Sequence, residues 1–238
     1  MSNLWKLFKG EVFRLAKYKV LFFGVLVSAI WVLVIALVSK AEAESFIPFL
    51  IVMDDGLMAI VLLGSMFYYE KQEGIAKSLL VAPITVSQVL IAKVAAAIFS
   101  GLISVVLIFL AALIFHGLVI NLFLAIIYMV LAVIAHTAIG YVIILASRDF
   151  MGMLVKYMGV ILVLIAPTIL VALNIIPTNL SFLAILSPTY ASQLLIESIF
   201  QTTDLWKILV SVGWLLTIGG LLYPLVIRKQ YQRYALEG

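Results

Sequence analysis

Six apolar stretches, each long enough to cross a lipid bilayer as a helix, constrain this chain more than any other feature of its sequence. They cover residues 20–38, 49–69, 91–115, 122–146, 155–176 and 205–227. A bilayer core of about 30 Å is crossed by roughly 20 helical residues. Because lipid offers no partners to backbone N–H and C=O groups, each stretch has to be helical. The sequence therefore predicts an all-α polytopic membrane protein with six transmembrane helices.

The composition supports a single membrane domain over residues 1–238. The chain is 66% hydrophobic and only 11% charged, with a mean hydropathy of +1.29, whereas about a quarter of the residues of a soluble domain are charged. No polar segment is left that could form a second domain. The absence of cysteine excludes disulfides and thiolate metal ligands, and two histidines at opposite depths argue against a metal site.

The distribution of basic residues predicts the orientation. All but two of the 15 Lys and Arg residues lie on one side of the six predicted spans, and the exceptions are Lys40 and Lys207. The positive-inside rule then places both termini in the cytoplasm. Because orientation and anionic headgroups account for the net charge of +4, we expect no nucleic-acid partner.

The first 19 residues have the pattern of an amphipathic interfacial helix. On a helical wheel the apolar residues group on one side and the basic residues on the other; the two sets are Leu4, Trp5, Phe8, Val12 and Leu15, and Lys6, Lys9, Arg14 and Lys17. Such a helix lies in the plane of the membrane surface. It is either a simple topology anchor or a lever that contacts a cytoplasmic partner.

The loop at residues 70–83 carries the most information about mechanism. A charged start leads to a short apolar face that includes Leu79 and Leu80, and Pro83 stops the helix. Thr85 and Gln88 then have the spacing of a capping box, which starts the third span. The pattern predicts a short amphipathic helix between two spans, which serves either as a docking element or as an ordinary loop packed on headgroups.

A second irregular segment lies at residues 177–204. It is apolar enough to suggest another span, but polar residues interrupt it, and a seventh span would strand the basic tail outside. We predict a broken pair of external or re-entrant helices, with Pro188 at the start of the second one. Tyr190, Leu194 and Ile199 are expected to face the membrane or neighbouring helices.

Three polar residues fall inside the predicted spans. Asp54 and Asp55 carry carboxylates that are expensive in lipid and raise a functional hypothesis. At 1.5 Å per residue, Asp55 is about 21 Å from the cytoplasmic end, in the outer third of the span. The pair therefore either begins the helix outside, with Gly56 opening the span, or lines a transport path or its outer mouth with Lys40 as a candidate partner. His136 is either a neutral, hydrogen-bonded residue or part of the path.

The order of these features resembles the type-2 ATP-binding cassette (ABC) transporter permeases. The resemblance covers essentially the whole chain and rests on the charged cluster at 70–73, Gly74, the Leu79–Leu80 pair, the Pro83-Ile84-Thr85 step, the run from Gln88 to Lys93, and the Ser-Pro-x-x-Tyr-like step at Ser187 to Tyr190. Within that family the chain is similar to the small drug-export permeases, including those known as fluoroquinolone exporters.

The resemblance implies a permease subunit of an exporter in the cytoplasmic membrane of a bacterium or archaeon. Two such subunits pair as a homodimer or heterodimer, and separate cytoplasmic ATPase subunits bind ATP and Mg²⁺. The coupling interface falls on Glu70, Glu73, Gly74, Leu79, Leu80 and Pro83, and the substrate is an amphipathic small molecule or a lipid. The sequence agrees in having no G-x-x-x-x-G-K-[ST] motif, so we expect no bound cofactor and no catalysis in this chain.

Two other classes of function remain open. A gradient-driven transporter favours charged or broken helices at the midplane and an internal repeat, neither of which is evident in the sequence. An intramembrane enzyme needs a serine and a histidine facing each other across helices, for which Ser65 and His136 are the candidates.

Overall fold

The computed structural model describes residues 3–74, 83–147, 149–177, 179–227 and residue 231. All regular structure within these ranges is helical, and they contain no strand. Six of the described helices are long and apolar enough to cross a membrane. The prediction of an all-α, six-span membrane protein is therefore confirmed.

The described helices follow one another in a simple order. They are α1 (Asn3–Lys17), α2 (Val20–Leu37), α3 (Lys40–Ile51), a π-helical segment (Val52–Leu57), α4 (Met58–Gln72), α5 (Val86–His116), α6 (Leu122–Leu145), α7 (Phe150–Ala172), a 3-10 helix (Ser181–Leu186), α8 (Pro188–Glu197), α9 (Leu205–Leu222) and a π-helical end (Tyr223–Ile227). The six membrane-crossing elements are α2, the continuous α3–π–α4 rod, α5, α6, α7 and α9 with its π-helical end.

Two buried clusters fill the bundle. We call the end that carries residues 17–20, 70–74, 83–86, 145–147 and 149–150 the basic end, and the other the opposite end. Leu15, Leu63, Phe67 and Tyr141 belong to the cluster nearer the basic end, whereas Ile35, Ile47 and Leu195 belong to the other cluster. Large apolar side chains on α2, α7 and α9 stay exposed, as expected of faces that lipid covers.

The second span begins at Lys40 rather than at residue 49. Ser39 and Glu42 form a reciprocal capping box, in which the Ser39 N–H donates a 2.8 Å hydrogen bond to the Glu42 carboxylate. This cap satisfies the first N–H groups of α3 and lets the helix start nine residues early. The aspartates consequently lie near the middle of one long rod, so the predictions that the helix opens at Gly56 and that Asp55 sits in the outer third are wrong.

The fifth span is also displaced from its predicted range of 155–176. It begins at Phe150 because the Asp149 carboxylate accepts a 2.6 Å hydrogen bond from the Gly152 N–H and caps the helix. It ends at Ala172, followed by Asn174 in a left-handed conformation with φ 55°. The hydropathy pattern alone missed both signals, because it does not register that Asp149 caps the start of the helix or that Asn174 turns the chain at its end.

The segment between the last two spans contains two short helices, with Pro188 at the first position of α8 as predicted. The Trp214 indole N–H donates to the Leu186 carbonyl at 2.9 Å, and Ser187 donates to the Leu164 carbonyl. Because Trp214 and Leu164 lie well inside their helices, this segment enters the bundle instead of lying over its end. Whether it does so from outside the cell stays a prediction.

Helix α1 packs its apolar residues on the bundle. Leu15 is buried, and Phe8 meets Phe99 of α5 edge to face, with ring centroids 6.1 Å apart. Arg14, which belongs to the basic side of the wheel, has a side chain that is only 12% exposed and is turned towards other charged residues. The location of α1 at a membrane surface stays a prediction.

Candidate coupling site and a buried carboxylate pocket

The flanks of the predicted coupling segment are well defined. Helix α4 ends at Gln72, and Gly74 follows in a left-handed conformation with φ 66° that favours glycine. On the far side, Thr85 and Gln88 form the predicted capping box, with hydrogen bonds of 2.9 and 3.3 Å. Leu79 and Leu80 lie outside the described residues, so the helix predicted between the flanks is not tested.

Helix α1 is bonded to both flanks of this segment. At its first residue, the Asn3 amide donates to the Pro83 carbonyl at 3.2 Å. At its other end, Lys17 and Tyr18 donate to one oxygen of Glu73, at 2.6 and 2.7 Å. The amphipathic helix therefore links the beginning and the end of the segment.

These contacts shift the pKa values of the groups at the surface of the basic end. The hydrogen bond from Lys17, followed by that from Tyr18, lowers the pKa of Glu73 below its ordinary value. The hydrogen bond to Glu73 in turn raises the pKa of Lys17 and that of the Tyr18 hydroxyl. The carboxylate and the ammonium are both held in their charged forms at neutral pH.

A buried ion cluster lies directly beneath this surface contact. Lys93 of α5 is completely buried, and its Nζ lies 2.9 Å from Glu11 and 2.8 Å from Glu70. The contact with Glu70 is an ion pair, so charge attraction holds it. The ammonium also lies 5.1 Å from the centre of the Phe67 ring, a cation–π distance.

Arg14 joins the buried cluster to the surface contact. Its guanidinium donates to Glu11 at 2.9 Å and to Glu73 at 3.2 Å. Three carboxylates and three cations thus connect α1, α4 and α5 in one network, which we call the coupling cluster; its members are Glu11, Arg14, Lys17, Glu70, Glu73 and Lys93. Charges buried in this way are stable only while each keeps its partner.

Sequence reasoning found only part of the coupling cluster. Glu70 and Glu73 were predicted to lie in the coupling region, but Glu11 was not singled out, and Lys93 was used for orientation and as the end of the Gln88–Lys93 run without an ion-pair role. A usable signal existed, since Lys93 falls inside the predicted third span, where a charged side chain usually has a functional or structural partner. The sequence does not show that this partner includes a residue of the first helix.

Asp54 and Asp55 lie in the π-helical segment, a kind of irregularity that is frequent at functional sites. One Asp54 oxygen accepts hydrogen bonds from Ser28, at 2.7 Å, and from Ser104. Asp55 is 4% exposed, and its Oδ2 atom has no hydrogen-bond partner. The ion pairs of the described residues include neither aspartate nor Lys40, so the predicted pairing with Lys40 finds no support.

Both aspartates line a cavity of about 230 Å³ between α2, α4 and α5. Ser28 lies near the middle of α2 and Gly101 near the middle of α5, so the carboxylates are far from both helix ends. At the basic end, the cavity reaches Tyr18 and Tyr69, whose rings stack with centroids 3.7 Å apart. The cavity thus extends from the surface contact of Glu73 to the middle of the bundle.

His136 is hydrogen-bonded between helices. Its Nδ1 lies 2.8 Å from the Ala132 carbonyl, and its Nε2 lies 3.2 Å from the Thr189 hydroxyl. A neutral ring with the proton on Nδ1 satisfies both contacts, because a carbonyl can only accept. The Ser65 hydroxyl donates its hydrogen bond to the Leu62 carbonyl, at 2.7 Å, and not to His136.

This arrangement defines a polytopic membrane protein in which a charged cluster at one end of the bundle binds the N-terminal helix to the flanks of the 70–83 segment. A family model described as ABC-2 family transporter protein matches residues 43–228. The chain therefore belongs to the ABC-2 transporter family and is a multi-pass permease of an ABC transporter. Members of this family are the membrane components of transporters, and membership implies a partnership with an ATP-binding subunit. A search of curated proteins finds no match.

Proposed function

We propose that this chain is the membrane subunit of an ABC exporter and that a cytoplasmic ATPase subunit docks on the segment from Glu70 to Pro83. The observation that carries the proposal is the bonding of α1 to both flanks of that segment, through Pro83 and Glu73. An ATPase that moves the segment would move α1 with it. The basic end of the bundle then faces the cytoplasm, in agreement with the positive-inside rule.

The coupling cluster supplies the path from the segment to the spans. Glu73 at the flank is bonded to Arg14, which is bonded to Glu11, and Glu11 shares Lys93 with Glu70. Because Glu11, Glu70 and Lys93 are desolvated, their ion pairs resist separation more strongly than exposed ion pairs do. Displacement of the segment is therefore passed to α4 and α5 together rather than absorbed by loose side chains.

In this proposal the remaining parts of the transporter are separate chains. ATP and Mg²⁺ are held by the ATPase subunit, and this chain binds neither. A second permease, identical or similar, covers part of the exposed apolar surface, and the pair lies in the inner membrane of a bacterium or archaeon. The export direction, and the similarity to fluoroquinolone exporters within the family, rest on the resemblance of the sequence.

The proposal is tested by purifying the tagged chain in mild detergent from its own host and identifying the chains that co-purify. We expect an ATPase with Walker motifs, and we expect Gly74→Glu or Leu79→Glu to abolish transport and uncouple ATP hydrolysis while membrane insertion stays normal. Glu44→Gln, on α3 away from the segment, is the matched control. Purification without an ATPase, under conditions that preserve other membrane complexes, would contradict the proposal.

One observation favours a gradient-driven transporter as a second candidate. The π-helical break at Asp54 and Asp55 places carboxylates near the middle of a span, as in transporters driven by ions. Transport by the purified chain in vesicles, driven by a proton or sodium gradient without ATP, would support this alternative. Membership of the ABC-2 family favours the ATP-driven mechanism.

A further inference from the structure

The cavity between α2, α4 and α5 combines an apolar wall with an unpaired buried carboxylate. Phe23, Met58 and Leu62 are among its apolar lining residues, and Asp54 and Asp55 are the acidic ones within the described part of the chain. Asp54 is already satisfied by the hydroxyls of Ser28 and Ser104. Asp55 Oδ2 is not hydrogen-bonded, although the residue is 4% exposed.

An unpaired carboxylate at this position is costly unless something neutralises it. A charged Asp near the centre of a membrane helix is energetically costly, and the neighbouring Asp54 adds repulsion. No Lys or Arg of the described residues forms an ion pair with either carboxylate. The charge of Asp55 is therefore neutralised either by a proton or by a cation that the described part of the chain does not supply.

We propose that this cavity binds the cationic group of an amphipathic organic amine or quaternary ammonium ion, with Asp55 as its counter-ion. Asp54 then acts as a second negative charge, positioned by Ser28 and Ser104. The apolar wall contacts the hydrocarbon substituents, and the aromatic rings of Tyr18, Phe23 and Tyr69 line the same space, where they can favour a cation over an anion.

The size of the cavity limits the ligand. A cavity of about 150 Å³ holds benzene, so one of about 230 Å³ holds a phenyl ring carrying a small ammonium group. A bare metal ion fits less well, because hard cations such as Ca²⁺ take about six to eight oxygen ligands, whereas most residues that line this cavity are apolar. An organic cation needs only the charge and the wall.

Gly101 of α5 packs closely against the Asp55 carboxylate. A Cβ added at Gly101 would lie 3.2 Å from Asp55 Oδ1 and 3.1 Å from the Met129 sulfur. This contact is tighter than ordinary packing, so a larger residue at 101 would press on the carboxylate. The neighbouring α5 residue Ser100 also lines the cavity, so a larger side chain at this position occupies part of the cavity.

The inference rests on the proposed function in one respect, namely that the bound ligand is a transported substrate. Binding to the cavity does not require an ATPase. The test is equilibrium dialysis of radiolabelled phenyltrimethylammonium against the purified full chain in discs of zwitterionic lipid. Its uncharged competitor is tert-butylbenzene, which has the same shape without the charge. The test therefore separates failure of this site from failure of the exporter assignment, which is judged by the co-purifying ATPase.

We expect saturable binding of phenyltrimethylammonium to the natural chain and at least about tenfold weaker binding to Asp55→Asn. Glu44→Gln removes a carboxylate from the same rod outside the cavity and should leave binding unchanged. Ser100→Leu fills the cavity while keeping both aspartates and should weaken binding by a similar factor. Size-exclusion profiles check that each variant stays folded.

Equal binding to the natural chain and to Asp55→Asn would overturn the inference, as would the absence of saturable binding to the natural chain. Displacement of the cation by tert-butylbenzene at equal concentration would show that charge is not recognised, and it would overturn the inference as well. If Asp55→Asn does not fold, unchanged binding to Ser100→Leu refutes the site, and weakened binding to that variant supports it.

Discussion

The Tyr18 hydroxyl donates a 2.7 Å hydrogen bond to Glu73, while the Tyr18 ring lines the cavity that contains Asp54 and Asp55. One side chain thus contacts both the flank of the coupling segment and the wall of the cavity. The ring is stacked on Tyr69 of α4, so a displacement of Glu73 changes the basic end of the cavity directly. This contact connects the proposed docking site to the proposed ligand site over a short physical path.

Replacing Lys93 by Met should destabilise the protein by about 3–5 kcal/mol. The change leaves Glu11 and Glu70 buried without a cation, and breaking a buried pair costs about this much. The measurement is the free energy of unfolding by denaturant titration in micelles. Lys9→Met, at an exposed position of α1, is the control, and adding Glu11→Gln and Glu70→Gln to Lys93→Met should restore much of the loss.

The contact between α1 and Glu73 should depend on pH in a defined window. Because the pKa of Glu73 is lowered in the folded state, its stabilisation is complete above the unfolded value of about 4.3 and is lost as pH falls through the folded value. Because the pKa of Lys17 is raised, its contribution is present below about 10.4 and is lost as pH rises through the folded value.

This window can be measured by spin labelling, since the chain has no cysteine. Labels at the exposed positions Lys9 and Met151 report the distance between α1 and α7. We expect a single distance near neutral pH and a broader distribution below the acid limit. Glu73→Gln should show the broad distribution at every pH; an unchanged narrow distance in that variant would argue against a role for the contact.

Gly74→Ala should cost about 1 kcal/mol of stability through backbone conformation alone. Its φ of 66° disfavours any residue with a Cβ, although an added Cβ would meet nothing within 4 Å. Gly10→Ala is the matched control, because Gly10 has equally open space within the helix α1, where Ala is favoured. Thermal unfolding should therefore shift down for the first variant and up for the second.

Gly56→Ala should disturb His136. A Cβ at position 56 would lie 3.2 Å from two atoms of the imidazole ring, so the ring has to move away from Thr189 or the rod has to shift. Overpacking of this kind costs about 1–3 kcal/mol. A double-mutant cycle with His136→Ala measures the coupling, and additive effects of the two changes would show that the contact carries no strain.

Sequence reasoning predicted the parts of the fold that depend on local pattern. Long apolar stretches predicted the six spans, and the spacing of apolar residues predicted the helix at the N-terminus. Residue preferences at helix ends predicted the Thr85–Gln88 capping box and Pro188 at the start of α8. The start of the second span was predicted nine residues too late, because the cap formed by Ser39 and Glu42 lies in a polar stretch that a hydropathy pattern ignores.

The charged sites were less accessible to sequence reasoning. Asp54 and Asp55 were selected because carboxylates are rare in spans, but their place within the span was wrong because the span starts nine residues earlier than the apolar pattern predicts. The role of Lys93 was missed because its partner Glu11 is 82 positions away. No local pattern links two residues at such a separation, even when both belong to amphipathic or apolar helices.

The sequence by itself predicted that the chain lies in a membrane and has six spans, because lipid forces long apolar stretches into helices. The order of its loop motifs indicated the family. Only the tertiary structure decided which charges meet. Glu11, Lys93 and Glu70 come together, and Asp55 has no ion-pair partner among the described residues, because helix packing sets which faces touch. Packing depends on contacts between segments distant in sequence, and this information is not carried by any single segment.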